Sequence, residues 1–315
     1  MVSYHFSLCL ALTLSSRTVR AWNLSRATFL SSSAASFLTS AVILASDPEA
    51  SCAATPRYID SELDMNYGDG PRTRGMLVRR FTGDSTPYQF PVTPVSLVKP
   101  WPEEPPFEPR DFSREDEIDD GAFYSVPRLV YHIDEPAVAS LTQYYRNTIK
   151  PKSDILDICS SWVSHYPVEF KETMGRISAS GMNAIELKFN DQLTDYQAKN
   201  LNKDPTLPYP DNTFDIVTCV VSIDYLIHPI QVLKEVNRVL KPGGKAILSQ
   251  SNRCFSTKAV RMWLGMNDRQ HLELINSYFQ YAGGYEARKA FDITATVPNG
   301  QYRDPMFIIE ATKIK

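Results

Sequence analysis

The 315-residue chain has few cysteines and no excess of positive charge. Its five cysteines are too scattered for a disulfide framework, and Cys159, Cys219 and Cys254 lack metal-ligand spacing. These thiols fall in or just after apparent strands, which favours a role in the core and predicts no metal site. The formal net charge is -3, whereas a nucleic-acid partner would call for a basic face. We therefore expect no nucleic-acid partner.

Acidic residues are absent from positions 1–46, where arginines and many serines accompany two apolar stretches, Phe6–Leu14 and Phe29–Ala45. The first stretch has the length of a signal-peptide core, and small residues suited to a processing peptidase follow the second. This arrangement resembles the leaders that carry proteins into algal plastids of secondary origin. We therefore predict a targeting leader over residues 1–54 and a plastid location, with stroma and thylakoid lumen both open. The alternative is an uncleaved membrane anchor at Phe29–Ala45, whereas processing would leave no stable membrane insertion.

Residues 55–122 show no sustained helical or strand period, and Pro91–Pro109 is dense in proline. Proline lacks a backbone donor and fixes φ, so neither a helix nor a central strand fits this stretch. We predict an extended segment or linker, with the charged run Arg114–Asp120 as a solvated face. Regular structure is predicted to resume over Phe123–Asp134 and to continue as a helix over Glu135–Ile149.

From Ser153 onward, apolar runs of strand length alternate with helical stretches. The clearest helix is predicted over Pro229–Leu240, ending at a Lys-Pro-Gly-Gly stop and tight turn. Such alternation predicts an α/β fold with a parallel sheet covered on both faces. Ligands bind these sheets at the carboxyl ends of the strands. The predicted strands are Ile155–Cys159, Ile177–Ser180, Phe214–Val221, Ala246–Leu248 and Phe307–Ile309.

The second half of this pattern resembles the type 11 class I S-adenosylmethionine-dependent methyltransferase domain. The matching residues, in the family's order, are Asp211, Phe214, Asp215, Glu235, Arg238 and the run Val239–Gly244. The resemblance implies a Rossmann-like fold over residues 123–315, with a seven-stranded, mostly parallel sheet and helices on both faces. It also implies S-adenosylmethionine as cofactor and a small-molecule substrate as partner. The strings ILDICSSWVSHYP and FYSVPRLVYHID further resemble a plastid-targeted methyltransferase-like subgroup of plants and algae.

The resemblance assigns cofactor contacts to the turns that follow the first three strands. Asp157 keeps the family's acid, whereas Cys159, Ser161 and Val163 stand at its glycine positions. Gly181 stands at or near the position of the family's ribose-binding acid, and Asn183 is the candidate replacement. The predicted cofactor-binding set is Asp157, Cys159, Ser160, Ser161, Trp162, Gly181, Met182, Asn183, Asn200 beside the adenine, Leu201 and Ser222.

Methyl transfer from a sulfonium is an in-line displacement, so the orientation of the two reactants contributes most to catalysis. A general base is needed only when the acceptor must lose a proton. Asp224 and Tyr225 leave the fourth strand where the methyl group is expected, which makes them the catalytic candidates. The alternative is a helix cap for Asp224 and packing for Tyr225, and His228 fits a helix-entry residue equally well. Predicted substrate contacts are Arg128 and His132, on a segment folding over the site, and Asn252 and Arg253 after the fifth strand. Arg253 could instead tie its loop to a carboxylate.

The altered glycine turn and the missing ribose acid leave two functions open. The first is an S-adenosylmethionine-dependent methyltransferase acting on a small molecule. The alternative is a non-catalytic binding or regulatory protein that retains the methyltransferase scaffold, because a fold does not by itself give a chemistry.

The targeting hypothesis can be tested on the leader alone. A fusion of residues 1–60 to a fluorescent protein is expected to accumulate in plastids of an alga with secondary plastids. The measurement is co-localisation with chlorophyll, and a diffuse cytosolic signal would contradict the prediction.

Overall fold

The computed structural model describes residues 87–300 and 302–315. The predicted leader and the first part of the extension lie outside these residues. Over the described stretch, no helix combines the length and apolar character needed to cross a membrane. That stretch also contains no group of three or more His, Cys, Asp or Glu side chains that could hold a metal ion.

The core is one eight-stranded sheet with the order β1-β7-β8-β6-β5-β2-β3-β4. Strands β2 to β7 run parallel to one another, whereas β8 and β1 run in the opposite direction. The mostly parallel α/β sheet is confirmed, with one strand more than the predicted seven. The strands are β1 (Thr93–Val95), β2 (Asp154–Ile158), β3 (Arg176–Gly181), β4 (Asp195–Ala198), β5 (Phe214–Val220), β6 (Leu240–Gln250), β7 (Tyr285–Asp292) and β8 (Phe307–Lys313).

Helices cover both faces of the sheet, as predicted. Because successive strand residues point to opposite faces, Leu156 and Ile158 enter one apolar cluster while Ile155 enters the other. Helices α5 and α7 pack on the first face, and α2 packs on the second. The helices are α1 (Asp120–Phe123), α2 (Glu135–Thr148), α3 (Phe170–Thr173), α4 (Ala184–Phe189), α5 (Pro229–Val239), α6 (Arg261–Leu264) and α7 (Asp268–Ala282).

Two local predictions need correction. Residues 124–134 form neither helix nor strand, because side chains from other elements bond the backbone there, including Glu186 to the Arg128 N–H. The predicted turn at Lys241–Gly244 lies inside β6. The strand pairs Leu240 with Phe214 and next pairs Lys245 with Ile216, so the intervening residues form a bulge.

The described part of the extension is mostly extended, as predicted, and packs on the sheet and on α7. The charged run Arg114–Asp120 is not wholly the predicted solvated face, because the side chains of Arg114 and Asp120 are buried as an ion pair. Strand β1 adds an antiparallel edge to β7, the position where proline such as Pro94 is tolerated. The Glu273 carboxylate accepts hydrogen bonds from the backbone N–H groups of Val98 and Lys99. The Phe107 ring lies within 6 Å of four others: Trp101, Phe112, Tyr278 and Tyr281.

The variant Phe107→Ala is expected to loosen the extension, because it removes the ring at the centre of this aromatic group. A loss of about 2 kcal/mol in local stability is expected for a half-buried phenylalanine. The measurement is the rate of tryptic cleavage after Arg110, which should rise more than tenfold. Val98→Ala is the matched control, because Val98 is 66% exposed; equal rates for the two variants would refute the packing role.

Candidate functional site

The candidate site lies where the carboxyl ends of the central strands meet. Ile158, the last residue of β2, pairs with Ser180 on β3 and with Cys219 on β5. The turn after β2 therefore lies between the chain segments that leave its two neighbours. This is the edge at which open α/β sheets bind their ligands.

The turn after β2 keeps a glycine-like backbone without glycine. Cys159, at the first of the family's glycine positions, has a φ of 52°, in the left-handed region that costs other residues about 1 kcal/mol or more. The Ser160 N–H donates to the carbonyl of Ser180 at 2.9 Å, and the Ser161 carbonyl accepts from Asn190 Nδ2 at 3.1 Å. The Trp162 indole donates to the Val130 carbonyl at 3.0 Å, which ties the turn to the segment above it.

The buried carboxylate of Asp157 stabilises this turn through hydrogen bonds. It accepts from the Ser160 hydroxyl at 2.6 Å and from the Thr218 hydroxyl at 2.8 Å. Burial raises the pKa of Asp157 to about 6, while hydroxyl hydrogen bonds from Ser160, Ser164 and Thr218 act in the opposite direction. The carboxylate thus joins the turn to β5.

Gly181 ends β3 directly against the turn. A Cβ at this position would lie 2.0 Å from the Ser160 carbonyl oxygen, which belongs to backbone and cannot rotate away. The close approach therefore excludes every side chain, including the ribose-binding acid of the family, while the turn keeps this conformation. Met182 follows and is half-buried.

Asn183 caps α4 and bonds the segment above it. Its Oδ1 accepts from the N–H groups of Ile185 and Glu186, at 2.9 and 3.2 Å. Its Nδ2 donates to the Tyr124 carbonyl at 2.8 Å. Both polar atoms of the candidate ribose ligand therefore bond within the chain.

In the loop after β4, a side chain of the loop accepts hydrogen bonds from the backbone of the same loop. Asn200 Oδ1 accepts from the N–H groups of Asn202 and Lys203, and Leu201 is buried. Asn202, which the sequence did not single out, bonds two other segments through one amide, at Asp120 and at Tyr225 and Ile227.

The segment after β5 contains the two catalytic candidates. Ser222 donates to the Val220 carbonyl, and residues 223–225 form a 3-10 turn. Asp224 is buried, and within the described residues its Oδ2 has no hydrogen-bond partner. Burial raises the pKa of Asp224 well above its usual value. The Tyr225 hydroxyl accepts from the Phe255 N–H at 2.8 Å.

The helix-cap alternative for Asp224 is wrong, because α5 begins after His228. His228 is the residue at the entry to that helix, although its side chain makes no capping hydrogen bond.

Residues 120–134, here called the covering segment, lie over this edge of the sheet. Burial, followed by the charge of Asp224, raises the pKa of Tyr124. The Arg128 guanidinium carbon lies 4.5 Å from the Phe123 ring centre and 5.4 Å from that of Phe255. The imidazole of His132, a predicted substrate contact, lies 5.2 Å from the Phe255 ring.

The other two residues predicted to contact the substrate, Arg253 and Asn252, bond side chains near the C-terminal end of the chain. Arg253 forms a buried ion pair of 2.9 Å with Asp304, the arrangement that the sequence left open as its alternative role. Asn252 Nδ2 donates to the Tyr302 hydroxyl at 3.3 Å. Arg128 and His132, in contrast, lie against the aromatic rings beside the catalytic candidates.

Two buried oxygens beside the turn fit a bound polar molecule. Within the described residues, Ser180 Oγ and Asp224 Oδ2 have no hydrogen-bond partner, although buried polar groups are ordinarily bonded. They lie on the chain segments to either side of β2. A hydroxyl at the end of β3 and a carboxyl oxygen after β5 are therefore both available to a polar ligand at this edge.

Comparisons with known proteins find methyltransferases among the similar chains. Residues 170–248 match the family described as "Methyltransferase domain". The demethylmenaquinone methyltransferase of Bacillus mycoides strain KBAB4 is 34% identical over 120 residues, which are 33% of this chain and 47% of that protein. The demethylmenaquinone methyltransferase of Bacillus cereus strain AH187 is 30% identical over 120 residues, which again are 33% of this chain and 47% of that protein. The chain therefore spans about half the length of these curated relatives.

Solved structures give weaker likenesses. An S-adenosylmethionine-dependent methyltransferase from Mesorhizobium loti superposes with a TM-score of 0.41 and 12% identity, over 56% of this chain and 98% of the other. The cyclase SpnF gives a TM-score of 0.42 and 15% identity, over 55% of this chain and 80% of the other. Residues 170–248 are therefore similar to a methyltransferase domain, and the curated relatives named above are methyltransferases.

Gly181→Ala is expected to destabilise the protein, because the new methyl group would overlap the Ser160 carbonyl oxygen. The free energy of unfolding should fall by about 3 kcal/mol, the upper end of the usual range for overpacking. Urea denaturation measures the change. Gly265→Ala is the control, because no atom lies within 4 Å of the added Cβ and φ is -90°; similar losses in both variants would disprove the close-approach argument.

Proposed function

We propose that this protein transfers the methyl group of S-adenosylmethionine to a small aromatic acceptor. The observation that carries the proposal is the position of Asp224, a buried carboxyl group whose Oδ2 has no partner within the described residues. It follows β5 at the sheet edge and directly precedes Tyr225 in the chain. An unpaired buried carboxyl group is costly unless a bound molecule completes its hydrogen bonds.

The residues around the turn after β2 would hold the cofactor. Backbone groups of Cys159–Trp162 and the hydroxyl of Ser180 would line its methionine and ribose parts, and Asn200 and Leu201 would flank the adenine. Gly181, Met182, Asn183 and Ser222 stay in the predicted binding set through their position at the same edge. When bound, S-adenosylmethionine supplies an electrophilic methyl group on a sulfonium.

Aromatic side chains favour an aromatic acceptor. The Phe255 ring centre lies 5.4 Å from that of Phe123 and 5.9 Å from that of Tyr225, so these rings could stack on a planar molecule. Arg128 lies over the Phe123 and Phe255 rings and would bind an anionic oxygen of the acceptor. The curated relatives are named for demethylmenaquinone, and we extend to this chain only that chemical class, a small quinol-type ring.

Asp224 would act in its neutral form, because burial raises its pKa. A protonated carboxyl group orients a hydroxyl by hydrogen bonding, whereas a general base must be charged before it accepts a proton. Tyr225 accepts a bond from the Phe255 N–H and keeps its own hydrogen for a bond to the acceptor. Both residues would thus position the acceptor for in-line attack.

The leader supports a plastid location for this reaction, in stroma or lumen. The net charge of -3 supports a small-molecule acceptor over a nucleic acid. Both statements rest on sequence composition.

The function can be tested with purified protein lacking the leader. Isothermal titration with S-adenosylhomocysteine is expected to give saturable heat, and labelled S-adenosylmethionine is expected to methylate a naphthohydroquinone but not an aliphatic amine. Absence of heat and of a thermal shift at millimolar ligand would refute the proposal.

The role of Asp224 predicts an order among its variants. Asp224→Asn keeps a neutral hydrogen-bonding group and should retain transfer to within about tenfold, whereas Asp224→Ala should lose far more. A general base would instead lose roughly 10²- to 10⁴-fold in Asp224→Asn. The rate of methyl transfer at saturating cofactor decides between the two roles, with S-adenosylhomocysteine affinity as the control for intact binding.

A further inference from the structure

Asn202 connects three segments around the candidate site through a single side-chain amide. Its Nδ2 donates to the Asp120 carboxylate at 2.9 Å and to the Tyr225 carbonyl at 2.8 Å. Its Oδ1 accepts from the Ile227 N–H at 2.9 Å. The loop after β4, the covering segment and the catalytic turn after β5 are thereby joined at one residue.

The covering-segment end of this network is itself anchored. Asp120 is buried and forms an ion pair of 2.6 Å with Arg114. Lys258, which is fully buried, contacts the Asp120 carboxylate at 3.4 Å and donates to the Ile118 carbonyl at 2.6 Å. Asn202 therefore joins the catalytic turn to the Asp120 carboxylate, which Arg114 and Lys258 hold in place.

The other end of the network reaches the loop after β6. The backbone of Tyr225 is held by Asn202, while its hydroxyl accepts from the Phe255 N–H. One continuous series of contacts thus crosses the carboxyl edge from the loop after β4, through the catalytic turn, to the loop after β6.

We propose that Asn202 is a positioning residue that fixes Tyr225 and the covering segment relative to each other. The inference rests on the function proposed above, but its structural part can be tested without a ligand. An asparagine suits this position because one planar amide supplies two donor hydrogens and an acceptor oxygen. An aspartate of the same shape would lose both donations and place a second carboxylate against Asp120.

The primary test compares Asn202→Asp with wild type by hydrogen exchange. Amides in residues 118–128 and 222–228 are expected to exchange about tenfold faster in the variant, since both segments lose a fixed neighbour. Asn237→Asp is the matched control: it also removes a donation to a backbone carbonyl, that of Gly284, on a helix away from the site. Faster exchange confined to residues 199–204 would overturn the proposal.

A double variant separates the two contacts. In Asp120→Asn/Asn202→Asp, the amide at position 120 can donate to the carboxylate at position 202, but nothing replaces the donation to Tyr225. Residues 118–128 should therefore regain protection relative to Asn202→Asp, whereas residues 222–228 should not. Asp120→Asn alone is the reference for weakened pairing with Arg114 and Lys258. Recovery of both segments, or of neither, would contradict the assigned contacts.

A kinetic readout distinguishes positioning from general destabilisation. In Asn202→Asp, methyl transfer to the naphthohydroquinone is expected to fall about tenfold, while the Kd for S-adenosylhomocysteine stays within about threefold. Unchanged transfer would overturn the positioning role. If wild type neither binds nor transfers, the proposed function fails, whereas the exchange comparison still decides whether Asn202 fixes the two segments.

Discussion

The close approach between the turn after β2 and the end of β3 determines the geometry of the whole edge. The Ser160 N–H bonds the Ser180 carbonyl, and the Ser160 carbonyl lies where a side chain on Gly181 would begin. Asp157 holds the same turn from beneath through its hydroxyl partners. The turn cannot move outward without losing these bonds, so the residues above it pack against a rigid surface.

The covering segment depends on that surface for its backbone hydrogen bonds. Trp162 bonds the Val130 carbonyl, Asn183 bonds the Tyr124 carbonyl and Glu186 bonds the Arg128 N–H. Residues 124–134, which form neither helix nor strand, thus receive backbone hydrogen bonds from side chains of the turn and of the start of α4. This arrangement also brings Phe123 and Arg128 against the ring of Phe255, whose N–H donates to the Tyr225 hydroxyl.

The fold was largely accessible from the sequence, because buried strands and amphipathic helices have distinct apolar periods. The helices at Glu135–Thr148 and Pro229–Val239 end within one residue of their predicted bounds. Strands β1, β4 and β7 were not among the predicted strands. In β1, three exposed or half-buried residues that include a proline carry no strand period. The site was only partly accessible, since the interactions of Gly181 and Asn202 depend on backbone distances between segments far apart in the chain. The family resemblance put Gly181 at or near the position of the ribose-binding acid, whereas the structure assigns it a steric role.

The conformation of Cys159 separates the shape of the turn from the residue type usually associated with it. A left-handed backbone persists at a residue with a side chain, supported by Asp157 and Ser160. The family match begins only at residue 170, after this turn. A search for the spacing of glycines would not find other chains in which a residue with a side chain adopts this conformation at the same small cost. The glycine-rich signature therefore underestimates how many sequences can adopt this loop.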